Sequence, residues 1–341
     1  MSLDADQIVD RRRMRRKLTF WRVVAVLLVV GAIAGIASFA TRGMTSLSEA
    51  GSGSIARIKI TGLIRGDQAR TEALERLGKS GVRAVIVHID SPGGTTAGAE
   101  QLYDSLVQLK GKKPMVVVVD GLAASGGYIA ALASEHIIAQ SASLVGSIGV
   151  LFQYPNFTDL MKTVGVKVEE IKSSPLKAAP NGFEPTSPEA RAALAAVVMD
   201  SYEWFKKLVR DNRKMMDGAT LEKVADGRVF TGRQAIELKL IDELGNEKSA
   251  VAWLAKKYPC DNPDTSGSGQ KCVPADSPVR DYRLKPRLGD LPFLHVAATA
   301  TLDAIGLTSL ARRLEESGIV MTVERLNLDG LLALWHPVTG N

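Results

Sequence analysis

Two apolar runs, each breaking straight into a glycine turn, constrain this chain more than anything else in it. Ala84-Val85-Ile86-Val87-His88-Ile89 runs into Asp90-Ser91-Pro92-Gly93-Gly94-Thr95, and Pro114-Met115-Val116-Val117-Val118-Val119 runs into Asp120-Gly121-Leu122-Ala123-Ala124-Ser125-Gly126-Gly127-Tyr128. Short Val/Ile-rich runs bounded by turn residues read as strands buried on both faces, which is what a parallel sheet between helical layers requires. Helix-forming stretches follow both turns, Thr96 to Leu109 and Ile129 to Ser134. The same alternation extends along the chain. Strands are expected at Ile55–Ile60, His136–Ala139, Leu144–Val150 and Val166–Ile171. Helices are expected near 68–79, 157–164, 188–216, 221–225, 232–238 and 248–257. This pattern predicts an α/β fold with a mainly parallel sheet and flanking helices.

Ligand sites in such sheets lie beyond the carboxyl ends of strands. Gly94 and Ser125 fall there. A serine on a tight strand-to-helix turn, flanked by small residues, has its hydroxyl clear of the backbone. The amides that follow it are available to an oxyanion. A third small-residue turn, Ser143-Leu144-Val145-Gly146-Ser147-Ile148-Gly149-Val150, repeats the theme.

A serine nucleophile needs a base. The chain has four histidines, His88, His136, His295 and His336, and none sits in a turn that would place it beside Ser125. Each reads as a structural histidine. Lysine is the other candidate. Its ordinary pKa of about 10.4 must fall to roughly 7, a cost of about 4–5 kcal/mol that burial in an apolar pocket can impose. Lys177 lies in Ser174-Pro175-Leu176-Lys177-Ala178-Ala179-Pro180, a loop otherwise without charge. Lys172 follows Lys167, Glu169 and Glu170 and reads as solvated.

The runs Asp90–Gly94, Ala123–Tyr128 and Gly146–Gly149, with the later Ala225–Ala235 and Leu240–Gly245, resemble the signal peptide peptidase SppA family in its short single-domain form. SohB-like paralogues share this core. The similarity covers about residues 55–257. It implies a ClpP/crotonase-like core and a Ser-Lys dyad, with Ser125 as nucleophile, Lys177 as base and Ser147 orienting the lysine amine. The amides of Gly94 and Gly126 would form the oxyanion hole. No cofactor or metal is implied. Many members carry an aromatic or histidine before the lysine, where this chain has Leu176. In double-length relatives the serine and lysine lie in different halves, so a chain with one half implies a homo-oligomer with sites shared between subunits. The implied substrates are cleaved signal peptides and other short apolar peptides. A non-catalytic membrane scaffold and a crotonase-like acyl-CoA hydratase or isomerase are the alternatives.

Composition and charge bear on location. The chain has 341 residues, 45% hydrophobic, and a formal charge of +6. The basic excess is concentrated in Arg11, Arg12, Arg13, Arg15, Arg16 and Lys17, not spread with aromatics over a folded face, so nucleic acid is not an expected partner. Val23 to Ala40 follows, eighteen uncharged residues. That is long enough to cross a bilayer, and the basic block holds the N-terminus in the cytoplasm. The expected organisation is a leader at 1–22, a transmembrane anchor at 23–40, a tether at 41–54, a peptidase domain at 55–257 and an extension of unknown role at 258–341. A signal peptide cleaved after Ser38-Phe39-Ala40 is the alternative to the anchor. An anchor in a bacterial cytoplasmic membrane would place the peptidase domain on the exported side, in contact with lipid only through its N-terminus. The two cysteines, Cys260 and Cys272, then fall where disulfides persist. They read as a small closed loop, with two free thiols as the alternative.

Overall fold

A computed structural model describes residues 53–213, 216–260 and 272–284, and the backbone of a strand at 331–334. The leader, the anchor and all but the end of the tether lie outside the described residues. Among the described residues no helix is long and apolar enough to cross a membrane.

The central sheet is built from β1 (Ile55–Thr61), β2 (Ala84–Ser91), β4 (Met115–Ala124), β5 (Ile137–Ala139) and β9 (Glu243–Leu244), with β10 (Val279–Asp281) on the far edge of β1. These strands are parallel in the order β10-β1-β2-β4-β5-β9. β6 (Leu144–Gly146) pairs in parallel with the end of β4, and β8 (Val229–Thr231) pairs antiparallel with β6. A second sheet of three strands joins β3 (Gly93–Thr95), β11 (Leu331–Leu334) and β7 (Leu151–Phe152), all antiparallel.

Period-two alternation with both faces apolar gives the sheet two packed sides. Val85, Val87, Ile89, Val117 and Val119 point into the larger core, whose helices are α1 (Gln68–Lys79), α2 (Thr96–Lys112), α3 (Gly126–Ala131) and α5 (Pro188–Asn212). Ala84, Ile86, Val116 and Val118 point the other way, onto Ala250 and Leu254 of α8 (Glu247–Lys257). α4 (Thr158–Val164), α6 (Gly218–Val224) and α7 (Gly232–Glu237) complete the helices of the described residues. The helix starts follow from side-chain caps. Asp67 caps α1 and Ser187 caps α5 ahead of Pro188, while α7 opens on a Thr231–Gln234 capping box.

Two features differ from the sequence reading. Leu144–Val150 is not one strand: it breaks at Ser147, and its continuation joins the second sheet. Val166–Ile171 is not a strand at all, although its alternation suggested one. Val166, Val168 and Ile171 are exposed, Ile171 fully, and no strand of the same chain lies alongside to supply hydrogen bonds among the described residues. Beyond residue 257, Cys260 and Cys272 form a disulfide with Cα atoms 5.0 Å apart. β10 and β11 then bring that region into both sheets.

Candidate active site

The site forms where the parallel strands end. β4 stops at Ala124, paired with Gly146 of β6, so Ser125 and Ser147 each stand one residue past the last pair. Neighbouring strands run ~4.8 Å apart, which brings the two serine backbones side by side. The amide of Ser125 donates to the Gly146 carbonyl at 2.8 Å, and the amide of Ser147 donates to the Arg228 carbonyl at 2.8 Å.

Both serines hold positive φ, 52° at Ser125 and 51° at Ser147. Side chains seldom tolerate this region, and each such residue costs about 1–3 kcal/mol. Ala178, directly after Lys177, is a third, and Lys239 is the fourth among the described non-glycine residues. Three of the four strained positions thus lie at or beside the residues chosen from sequence. The strain at Ser125 turns its side chain at the mouth of α3, and its Oγ is buried with no hydrogen-bond partner among the described residues. Gly126 is the first residue of α3, so its amide is one that helix geometry leaves without an intrahelical acceptor.

Gly94 sits in β3 against the loop that follows β1. Ile64 donates its amide to Gly93 and accepts from Thr95, clamping the glycine turn at 2.8 and 2.9 Å. A Cβ on Gly94 would lie 1.8 Å from the Ile64 carbonyl oxygen. Glycine is required here by packing against residue 64. Thr95 then caps α2 through Gly98, whose own missing Cβ admits the Arg65 backbone. Ser91 adds two bonds, donating to the Gly62 carbonyl and accepting from the Gly93 amide. Ile64, Ser91 and the Arg228 carbonyl therefore position the site, and sequence reasoning missed all three. Ile64 and Arg228 act on residues far along the chain, and although Ser91 and Arg228 fall within the runs 90–94 and 225–235, nothing in those runs shows what they touch.

Lys177 makes no hydrogen bond to Ser125. It is exposed, in a turn closed by its own amide on the Ser174 carbonyl. The rival lysine is engaged elsewhere: Lys172 pairs with Glu170 at 2.7 Å and with Glu184, and these hydrogen bonds raise its pKa, the wrong direction for a base. His88 is held between Asp120 and Glu247, at 2.8 and 3.0 Å, and His136 between Glu243 and a stacked Trp253. His295 and His336 lie outside the described residues.

Behind α3, Tyr128 is fully buried and donates to the Leu240 carbonyl at 2.7 Å, with its phenol pKa pushed up by burial. Arg213 clasps Asp242 with two bonds, and Asp242 also accepts from the Ile137 amide. These contacts account for the Leu240–Gly245 run as a brace for the sheet and α3. In front of Ser147 lies a cavity of about 400 Å³, with Ile148, Leu151, Val198 and Met199 on its apolar walls.

A serine at a strained strand end, next to a second serine and two glycine-bearing turns, defines a serine hydrolase type of site. The family description "Peptidase family S49" matches residues 107–260, a span that contains Ser125, Ser147 and Lys177. A Synechocystis protein bearing the description "Putative protease" is 39% identical over 206 residues, covering 59% of this chain and 73% of that protein. Protease 4 of Haemophilus influenzae is 31% identical over 171 residues, covering 50% of this chain and 28% of that protein. Among solved structures, a ClpP1 mutant from Listeria monocytogenes aligns with a TM-score of 0.38 at 16% identity, over 60% of this chain and 95% of that one. The chain belongs to peptidase family S49, a family of serine-type proteases.

Proposed function

We propose that this chain is a membrane-anchored endopeptidase in which Ser125 is the nucleophile and Lys177 of a neighbouring subunit is the general base. The observation that carries the reading is the state of Ser125, strained, buried and with Oγ unpartnered at the end of β4. Ser125 Oγ attacks the peptide carbonyl carbon as the neutral lysine takes its proton. The amides of Gly94 and Gly126 hold the oxyanion. The lysine then gives its proton to the leaving amine, and water releases the acyl group by the same route. Ser147 accepts or donates to the lysine amine and fixes its direction.

Two features favour a base from a neighbour. A lysine acts as a base only where burial favours its neutral form, and an exposed turn gives no burial. The segment carrying Lys177 also exposes Leu160, Val164, Val166, Val168, Ile171, Leu176 and Phe183. An apolar surface of that extent is usual for an interface. A second subunit seated there would cover it and bury the amine together.

The substrates in this reading are signal peptides left in the bilayer and other short apolar peptides, drawn from the membrane beside the anchor. The anchor holds the domain on the exported side of a bacterial cytoplasmic membrane, a compartment that suits the Cys260–Cys272 disulfide. No cofactor enters the reaction. The test is phosphonylation of Ser125 by a fluorophosphonate, with loss of fluoride, read by mass on the assembled protein. Lys177→Ala is expected to slow it ~100-fold or more, the scale of a lost general base. Absence of label in the wild type would leave the scaffold or acyl-CoA reading. An equal rate without Lys177 would remove the lysine.

A further inference from the structure

Ser147 keeps a backbone conformation, φ 51°, that persists only where its surroundings over-determine it. The turn at 225–228 supplies those surroundings. Its Arg228 carbonyl accepts the Ser147 amide at 2.8 Å. Its Gly227 packs against Gly149, where a Cβ would lie 3.5 Å from the Gly227 Cα. One residue before Ser147, Gly146 holds φ at 102°, with Phe230 and the Arg228 carbonyl where a side chain would go. The Gly146 carbonyl in turn accepts the Ser125 amide. Both serine backbones are therefore tied, one through the other, to the Arg228 carbonyl.

The turn is itself held from two sides. Within it, Asp226 accepts from the Arg228 amide at 3.1 Å and pairs with the Arg228 guanidinium at 2.5 Å, while Gly227 takes a φ of 87°. From outside, α5 reaches it with two side chains one helical turn apart, which share a face. Tyr202 donates its hydroxyl to the Ala225 carbonyl at 2.5 Å, and Lys206 pairs at 2.8 Å with Glu222 near the end of α6. Lys206 also lies over the Tyr202 ring, 5.3 Å from its centre. Burial raises the Tyr202 pKa above its ordinary value of 10.0, so the hydroxyl keeps its proton and stays a donor. Tyr202, Ala225, Asp226 and Gly227 line the same cavity as Ser147, which puts this contact at the wall of the site.

We infer that Tyr202 is a positioning residue for the reaction: its hydroxyl, bonded to the Ala225 carbonyl, fixes the 225–228 turn, and the turn fixes Ser147. The inference rests on the reading of Ser147 as the group that orients the base. Ala225–Arg228 then acts on the site through the backbone of Ser147, with no side chain in the chemistry.

A residue that acts through another loses its effect once that other is gone. The test is a double-mutant cycle on the full-length, assembled protein, read as the rate of Ser125 phosphonylation by a fluorophosphonate. Tyr202→Phe removes one hydrogen bond and keeps the ring against Lys206. It is expected to slow labelling about fivefold in the wild-type background, the scale of one hydrogen bond. In the Ser147→Ala background the same substitution should change the rate by less than about twofold.

Amide hydrogen exchange supplies an arm that needs no reaction. Tyr202→Phe should speed exchange at Ser147 about fivefold and leave Leu132, whose amide donates to the Tyr128 carbonyl at the end of α3, unchanged. Equal slowing of labelling in the two backgrounds, or unchanged exchange at Ser147, overturns the inference. Exchange that quickens at Leu132 as much as at Ser147 also overturns it, since Tyr202 would then serve the stability of the whole fold. Faster exchange at Ser147 alone, in a protein whose labelling Ser147→Ala does not slow, upholds the hold of Tyr202 on Ser147 and instead removes Ser147 from the catalytic reading.

Discussion

At the scale of single residues, the backbone of Ser125 is the most telling feature. Its φ of 52° with ψ of −117° is a conformation that glycine adopts freely and other residues adopt at a cost. Alanine at this position removes the hydroxyl and keeps the strain, whereas glycine removes both. Ser125→Gly is therefore expected to be more stable than Ser125→Ala by about 1–2 kcal/mol, with both inactive. Urea unfolding of the two proteins measures the difference. A glycine variant less stable than the alanine variant would mean that the turn at Ser125 is not strained. The same logic explains why the serine was visible in the sequence. Small neighbours at Ala123, Ala124, Gly126 and Gly127 are what the tight turn needs, and Gly127 in particular packs its bare Cα against the Ser91 carbonyl.

At the scale of elements, one cluster ties four strands and a helix together. Arg57 of β1 donates twice to Glu247 at the start of α8 and once to Asp281 of β10, and His88 of β2 lies between Glu247 and Asp120 of β4. The Arg57 hydrogen bond, helped by the charges of Arg57 and His88, holds the Glu247 carboxyl below its ordinary value of 4.5. A depressed carboxylate stabilises the fold fully above that ordinary value and loses its contribution as pH falls through the lower, folded one. Glu247→Gln is thus expected to cost about 1–2 kcal/mol near neutral pH. The gap to wild type should close as the pH drops below about 4.5, followed by thermal melts across that range. A gap that stays constant with pH would show that the ionised form of Glu247 is not what matters.

The elements also show how far the sequence could be read. Helix 68–79 and the strands at 55, 84 and 115 follow from local periodicity and caps, and the structure has them. Val166–Ile171 has the right alternation for a strand and lacks a partner, since pairing depends on what lies alongside and not on the segment itself. The site divides the same way. Ser125, Ser147 and their glycine turns are local and legible. The clamp of Ile64 on Gly94, the exposure of Lys177 and the docking of residues 331–334 against residues 93–95 are long-range outcomes, and no window of sequence contains both partners.

At the scale of the whole molecule, the exposure of Lys177 bears on assembly. If each site takes its serine from one subunit and its lysine from the next, then Ser125→Ala and Lys177→Ala subunits should complement each other. Either variant alone is expected to be inactive. In equal mixtures assembled together, roughly a quarter of the junctions of a head-to-tail ring would pair an intact serine with an intact lysine. Recovered peptidase activity of about that share of wild type is the expected result. Mixed oligomers shown to form by mass, yet inactive at every ratio, would place both residues of the site within one chain.

The middle strand of the second sheet has a consequence in time. Ribosomes deliver a chain at about 5–20 residues per second, so the tail strand follows β3 by roughly 12–50 s. Every other described element has been made by then, including β3 and β7, which leave a groove for it between them. β10 is the last of those elements and ends 50 residues before the tail strand, so the groove stands open beside a completed core for about 2.5–10 s, and the strand that closes it arrives last.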